Sequence, residues 1–500
     1  MEGRSSKKVV FYSPFPFSPY WEIEMELIEK YQRQGAEVIL LICNENLPSC
    51  MVNPFHKKGI CLTCRSTKSS GINWLQKQNL TIKPFYNLND DQLKAVQQLS
   101  SMRLTSLEQV ANIRIDDVEI GTAALSSLAS LLKDPSPDIE KYSYLLNRFL
   151  ASSAIVYFSL FNHISTERPH DFVAFNGRFA EIRPAVRVAW KLGVDTYLHE
   201  VGYVLGRYCL IKNAFMHNLN TIKRELKLTN ENSPLSSQDK LKIAKSWFEE
   251  RRAAKVTQQI SMTENQIIGL LPEEINSQNI NIGIMSSSDF EYIGFEGYDN
   301  PIYKDQSDAI NKILKSFESA TGVKFYVRSH PYLSGFDNSQ TRFESELGKR
   351  FRNVETIPPG SPVSTYSLLD ACDLIITFGS TVGIEAVYAG KPSILLGRSI
   401  YEDFDALIRP DSHDELVSIL ENYLNNRSLP ESGNREEAIE KYGFYMKMGG
   451  LPLEYVKMHS PADVRIVRDN TEYTVRPSIT SRVINKALSV LDKNERLGAG

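Results

Sequence analysis

A chain of 500 residues, 42% hydrophobic and 23% charged, has the make-up of a globular protein and is long enough for two or more cores. A net charge of -3 gives no overall attraction to a polyanion, so no nucleic-acid partner is expected. Met1–Lys8 is polar and runs straight into a strand, and the apolar stretch Tyr144–Phe161 is broken by Asn147 and Arg148. Neither reads as a secretory signal or a membrane span, and a cytoplasmic protein is expected, with peripheral contact at the inner face of the membrane left open.

Lys8–Tyr12 reads as a strand, Ser13–Pro19 as a loop rich in proline and aromatics, and Trp21–Gln34 as a helix ended by Gly35. Glu37–Cys43 is a second strand, followed by a cysteine-bearing segment (43–64) and mostly helical sequence from Asp90 to Phe161. Strand signals return at Asp171–Phe175 and Asp195–His199, flanking a helix over Glu181–Leu192 whose Pro184 must lie in the first turn. Asn220–Asn265 is charged and helical, looser over Thr229–Ser237. A second series follows: strand Asn281–Met285, helix Ser307–Thr321, strands Val323–Arg328 and Leu374–Phe378, helix Val382–Ala389 and strand Ser393–Leu396. Asp411–Asn425 and Arg435–Met446 read as closing helices. Strand and helix in alternation imply parallel sheets covered on both faces. The expected fold is α/β, with two Rossmann-like doubly wound domains facing a cleft. Residues 1–265 form the first, carrying cysteine segment 43–64 and helical insertion 90–161; 266–425 form the second, and 426–500 a closing helical segment.

Ligands of open parallel sheets sit beyond the carboxyl ends of the strands. After Leu374–Phe378 comes Gly379-Ser380-Thr381 and then a helix, so backbone N–H groups and the positive helix end face one point that suits a phosphate. Glu385, one turn on, could accept hydrogen bonds from sugar hydroxyls. The bland alternative is an ordinary βα turn capped by Ser380 or Thr381. Arg328, Ser329 and His330 end another strand of the same domain, where the cation and the imidazole could neutralise or bond a phosphate. Ser286, Ser287 and Ser288 end a third. In the first domain Asn176-Gly177-Arg178 offers a sharp turn with donors for an oxygen-rich ligand. Glu200 is a candidate general base at a strand end, with Glu22 and Glu24 as rivals at a helix start. Cys43, Cys50, Cys61 and Cys64, with His56 among them, leave structural zinc, free thiols and disulfides open. Cys209 and Cys372 read as core residues. No Walker loop, G-x-S-x-G elbow or dinucleotide fingerprint is present.

Taken together, these residues resemble a GT-B glycosyltransferase of bacterial capsule and surface-polysaccharide clusters. The likeness runs through Tyr20-Trp21-Glu22, the cysteine segment with Asn53-Pro54, Gly121, Ser126 and Ser127, Asn176-Gly177-Arg178, and His199-Glu200. It continues through Ser287-Ser288, Arg328-x-His330-Pro331, Pro358–Ser364 and Thr377–Pro392. The His-Pro pair and the Gly-Ser-Thr turn are similar to elements with which bacterial sialyl- and Kdo-transferases hold a CMP-sugar's phosphate. By that resemblance His330, Ser380 and Thr381 contact the donor phosphate and Glu385 its ribose, and transfer needs no bound metal. The first domain then takes a glycan or lipid-linked acceptor, the second a CMP-, UDP- or GDP-sugar. The resemblance does not place the general base of those transferases on a residue of this chain, and the cysteine segment is not one of their features. Two other readings remain: a nucleotide-sugar epimerase of the same fold, which needs no acceptor, and a non-catalytic nucleotide-sugar-binding component of an assembly complex.

Overall fold

The computed structural model describes residues 7–255, 263–275 and 278–497, with side chains to residue 488. The chain forms two compact units: Met1–Leu131, Asp138–Met216 and Gly450–Gly500 make the first, and Leu132–Pro137 with His217–Gly449 the second.

The first unit is built on strands β1 (Lys8–Ser13), β2 (Glu37–Ile42), β3 (Leu80–Pro84), β4 (Asp171–Phe175), β5 (Asp195–Val201) and β6 (Arg207–Lys212), in the order β6-β5-β4-β1-β2-β3. β1 to β5 run parallel and β6 antiparallel to β5. All five residues of β4 are buried, as covering on both faces requires. Helix Tyr20–Arg33 buries Trp21, Ile23, Leu27 and Ile28 against β1 and β2. Helix Ser143–Glu167 is the one described helix long and apolar enough to cross a membrane, and 72% of its most apolar window is buried inside the protein. It is longer than the apolar run marked in the sequence, because polar residues at its ends still satisfy helical hydrogen bonds.

The second unit holds a five-stranded parallel sheet: β7 (Ile280–Met285), β8 (Val323–Arg328), β9 (Val354–Ile357), β10 (Leu374–Thr377) and β11 (Ser393–Leu395), ordered β11-β10-β7-β8-β9. Strand order reverses between β10 and β7, the position where such sheets open a crevice. The core gathers Ile282, Ile284, Phe325, Val327, Leu374 and Ile376 from the strands under Ile310, Ile313, Leu314 and Leu420 of the helices.

The units divide at different points from the boundaries at 265 and 425. Helices Leu219–Glu231 and Ser237–Arg252 belong to the second unit, because Trp247 and Phe248 pack on Tyr442 of helix Arg435–Met448, with ring centroids 5.4 and 6.4 Å apart. The expected helical run to Asn265 passes through 256–262, outside the described residues. The closing segment is not all helix. From residue 450 the chain rejoins the first unit: β12 (Leu451–Pro452) pairs with β6, and β13 (Val456–Ser460), β14 (Asp463–Arg468) and β15 (Thr471–Tyr473) form an antiparallel sheet. The buried Glu26 carboxylate anchors this return by accepting the amides of Glu454, Tyr455 and Val456 at 2.8–3.2 Å.

Candidate functional site

In the second unit the ends of β7, β8 and β10 border a pocket of ≈ 80 Å³ with Ser286, Arg328, His330, Ser380, Thr381 and Glu385 on its walls. At about 30 Å³ per water molecule, that is room for a phosphate-sized group. Arg328 ends β8 and is 2% exposed, yet among the described residues no carboxylate pairs with it. Its terminal nitrogens donate to the carbonyls of Pro358 (3.0 Å) and Ser361 (3.5 Å), and its Nε has no partner. Burial pulls its pKa down to about 10, which leaves it cationic at neutral pH. A buried guanidinium with no counter-charge is electrostatically costly and suited to an anion that arrives from outside.

His330 follows. Its Nδ1 accepts the Tyr332 amide at 3.3 Å, which assigns the ring proton to Nε2 when the imidazole is neutral. Burial lowers its pKa, and the charges of Arg328 and Arg251 add to that against an opposing Glu291. At neutral pH it therefore offers one N–H donor. Across the pocket the Ser380 hydroxyl accepts the Val382 amide at 3.4 Å. Gly379 shapes this turn without lining the pocket: its φ is +126°, and a Cβ there would lie 2.5 Å from the Arg398 carbonyl oxygen.

Glu385 borders the pocket, but its Oε1 is taken by Arg251 Nε (2.5 Å) and the Tyr366 hydroxyl (3.2 Å). This corrects the ribose assignment in one respect: that oxygen serves a buried cation. Arg251, from the last turn of Ser237–Arg252, also reaches Thr381 Oγ1 at 3.4 Å and lies over Trp247. Burial alone would lower its pKa, but the Glu385 charge outweighs this and holds it above the ordinary value. Arg251 was missed in the sequence because one basic residue at a helix end carries no local signal. Glu385→Ala would leave a mostly buried guanidinium unpaired. Removing one partner of a buried pair costs about 3 kcal/mol, lowered here to about 2 kcal/mol because the Arg251 side chain is 16% exposed. Urea unfolding of the purified variant should show that loss, and a change below ~0.5 kcal/mol would mean that Arg251 is hydrated instead.

Of the three serines after β7, only Ser286 lines the pocket. The Ser287 amide donates to Gln306 Oε1 at 2.6 Å, its carbonyl accepts Gln340 Nε2 at 2.7 Å, and its buried hydroxyl has no partner. The Ser288 hydroxyl is spent on Glu291. Ser287 and Ser288 therefore build the strand end without contacting the pocket. A second cavity of ≈ 380 Å³ opens beside the ends of β10 and β11, with Asp289, Phe378 and Arg398 on its wall and Tyr292 stacked on Tyr298. Burial, reinforced by Glu344 and Asp305, raises Asp289 to about 8, so it is largely protonated at neutral pH.

In the first unit, loop 14–19, Asn176–Arg178 and Glu200 stand at the carboxyl ends of β1, β4 and β5. The donors of Asn176-Gly177-Arg178 turn inward rather than toward a ligand. Asn176 Nδ2 donates to Glu200 Oε2 at 2.6 Å, and buried Arg178 donates through Nε to Ser126 at 2.9 Å. Gly177 has φ +90°, with Phe215 and Leu198 filling the place of a side chain. Glu200 also accepts the Val201 amide at 3.0 Å and stays partly exposed, while burial raises its pKa. Glu22 is 2% exposed, with Oε2 unpartnered and its pKa raised by burial to about 7. Glu24 is held by buried His199 at 3.1 Å.

The cysteines are free thiols. Among the described residues no three His, Cys, Asp or Glu side chains are placed to hold a metal ion, so the zinc reading finds no ligand set there. Asn53 Nδ2 donates to Cys61 Sγ at 3.1 Å, and the His56 ring bonds the Leu47 carbonyl. Burial raises the thiols of Cys50, Cys61 and Cys64, the last to about 11, which keeps them protonated at neutral pH.

Two α/β units, each on its own largely parallel sheet, are the make-up of a GT-B type of fold. Residues 299–405 match the family described as Capsule polysaccharide biosynthesis protein. No curated protein matches the chain. Among solved structures, the chain is similar to Thermosulfurimonas dismutans KpsC, a beta Kdo 2,4 transferase, at 14% identity over 64% of this chain and 87% of that one, with TM-score 0.34. The glycosyltransferase SnogD from Streptomyces nogalater aligns at 11% identity over 89% and 96% of the two chains, with TM-score 0.26. A UDP-N-acetylglucosamine 2-epimerase aligns at 8% over 88% and 91%, with TM-score 0.25.

Proposed function

We propose that the protein is a metal-independent glycosyltransferase that moves a sugar from a nucleotide-sugar donor to a growing capsule or surface polysaccharide, or to a lipid-linked acceptor, at the cytoplasmic side of the membrane. The observation that carries this reading is Arg328, a buried cation without a carboxylate partner among the described residues, at the wall of a phosphate-sized pocket. His330, Ser380 and Thr381 complete its polar lining. The capsule-family match over 299–405 includes His330 and the Gly379–Thr381 turn.

In the transfer, the acceptor hydroxyl oxygen bonds to the anomeric carbon as the bond from that carbon to the phosphate oxygen breaks. The bonding pair leaves with the phosphate, and the hydroxyl proton passes to a carboxylate, for which Glu200 is the partly exposed candidate. Arg328 and the Nε2–H of His330 stabilise the charge that grows on the leaving phosphate. With the Arg328 cation and the His330 donor supplied by the chain, no bound divalent ion is needed to neutralise it. The aromatic wall of the second cavity suits the base or sugar of the donor.

His330→Ala should lower kcat by about 10²-fold, the scale of one charge-stabilising donor. Activity within about twofold of wild type would remove His330 from the step. The donor class is tested by thermal shift with CMP, UDP, GDP, CDP and dTDP, where a ligand at about ten times its Kd stabilises by ~1.4 kcal/mol. Conversion of a sugar nucleotide with no acceptor present would instead identify an epimerase.

A further inference from the structure

The terminal helix Ile479–Leu497 turns an apolar ridge to solvent: Ile479 is 72% exposed, Val483 62% and Ile484 41%. Ile479 and Val483, four residues apart, share one face of the helix, and Ile484 flanks Val483. The helix packs on Lys58–Ile72, with Asn485 seated over Gly59 and the Ser478 amide donating to Ser66 Oγ at 2.8 Å. Just ahead of that second helix, Val52 and Phe55 are 36% and 56% exposed. Large apolar side chains on neighbouring segments are thus left uncovered within the first unit.

No Asp or Glu occurs from Asn46 to Asn89, or from Tyr473 to Leu491, in a chain that has 60 of them and is acidic overall. Lys58, Arg476, Arg482 and Lys486 are exposed on the same stretches. Apolar side chains set among basic ones match an anionic lipid surface, the nearest acids being Glu45, which pairs with Arg65 at 2.9 Å, and Asp492 and Glu495 in the last turns of the terminal helix. Two copies of the face would bring like charges together, which disfavours self-association through it.

We propose that this face docks the protein on an anionic membrane surface, with Phe55, Ile479 and Val483 entering the apolar layer and the basic side chains at the headgroups. The reading is independent of the transfer pocket. It is tested by flotation of the full chain with phosphatidylcholine vesicles made with and without phosphatidylglycerol. Binding should favour the anionic vesicles by on the order of fivefold per engaged basic side chain and should weaken with salt. The double variant Ile479→Asp/Val483→Asp, and separately Phe55→Asp, should lose binding while keeping the wild-type melting temperature, since all three side chains are exposed. Wild-type protein that ignores anionic vesicles, or variants that bind as well as wild type, would overturn the proposal. So would a dimer in light scattering that the variants dissolve, because the face would then belong to a second copy.

Discussion

Arg328→Met should cut kcat/KM by about 10²–10³-fold while leaving the unfolding midpoint unchanged or slightly raised, a combination that a structural arginine would not give. The side chain is buried, and among the described residues two carbonyls accept from it. Burial pulls its pKa down to about 10, the direction expected of a poorly solvated charge. Methionine fills similar volume and removes the buried charge, against which stands the loss of two hydrogen bonds at ~1 kcal/mol each. The two effects are comparable, so stability should move little. Under the proposed transfer, catalysis has no such compensation, because the leaving phosphate loses a cation at short range. Arg328→Lys should fall between, since it keeps the charge but loses the planar fork. The nucleotide-induced thermal shift should shrink in parallel with activity. A stability loss above ~3 kcal/mol with activity per folded molecule preserved would make Arg328 a tie for the 358–361 loop instead.

Strands that alternate with helices and carry β-branched residues, such as β1, β4, β7 and β8, were legible in the sequence to within a few residues. Their burial on both faces leaves a continuous apolar run that composition alone reveals. Short edge strands were not. β3 ends in Pro84, which demotes it in any propensity reading, and β12 has two residues. The β14–β15 hairpin did carry a signal, Asp469-Asn470, and both residues take the left-handed φ of a tight two-residue turn. It was masked by charged flanking residues that read as helix. The return of residues 450–500 to the first unit depends on Glu26 bonding three amides more than 400 positions away, and no local pattern encodes that.

The site shows the same division. Strand-end position predicted Arg328, His330, Ser380 and Thr381, and all four line one pocket. Sequence position does not say which way a side chain turns. Ser287, Ser288, Asn176 and Arg178 stand where expected but spend donors on internal partners. Glu385 gives an oxygen to a cation from a helix more than 130 residues earlier.

The two candidate bases should separate in a matched pair of variants. Glu200→Gln should lower kcat by about 10²–10⁴-fold, because the amide cannot take the acceptor's proton. Its pKa is raised by burial, so wild-type kcat/KM should fall as pH drops through a value above the ordinary carboxylate range, and the residual rate of the variant should lack that limb. Glu22→Gln should behave differently, since a carboxyl that is 2% exposed offers an acceptor no approach. Its folded pKa of about 7 lies above the ordinary 4.5, so the buried neutral form stabilises the fold at low pH and that contribution is lost as pH rises through about 7. Glutamine stays neutral, so Glu22→Gln should exceed wild type at pH ~8 by up to about 3 kcal/mol and match it only at pH ~4 and below. Its kcat should change by less than about tenfold, short of what loss of a base entails. An inactive Glu22→Gln beside an active Glu200→Gln would move the base to the start of helix Tyr20–Arg33 and leave Glu200 as the partner that holds Asn176 in its left-handed turn.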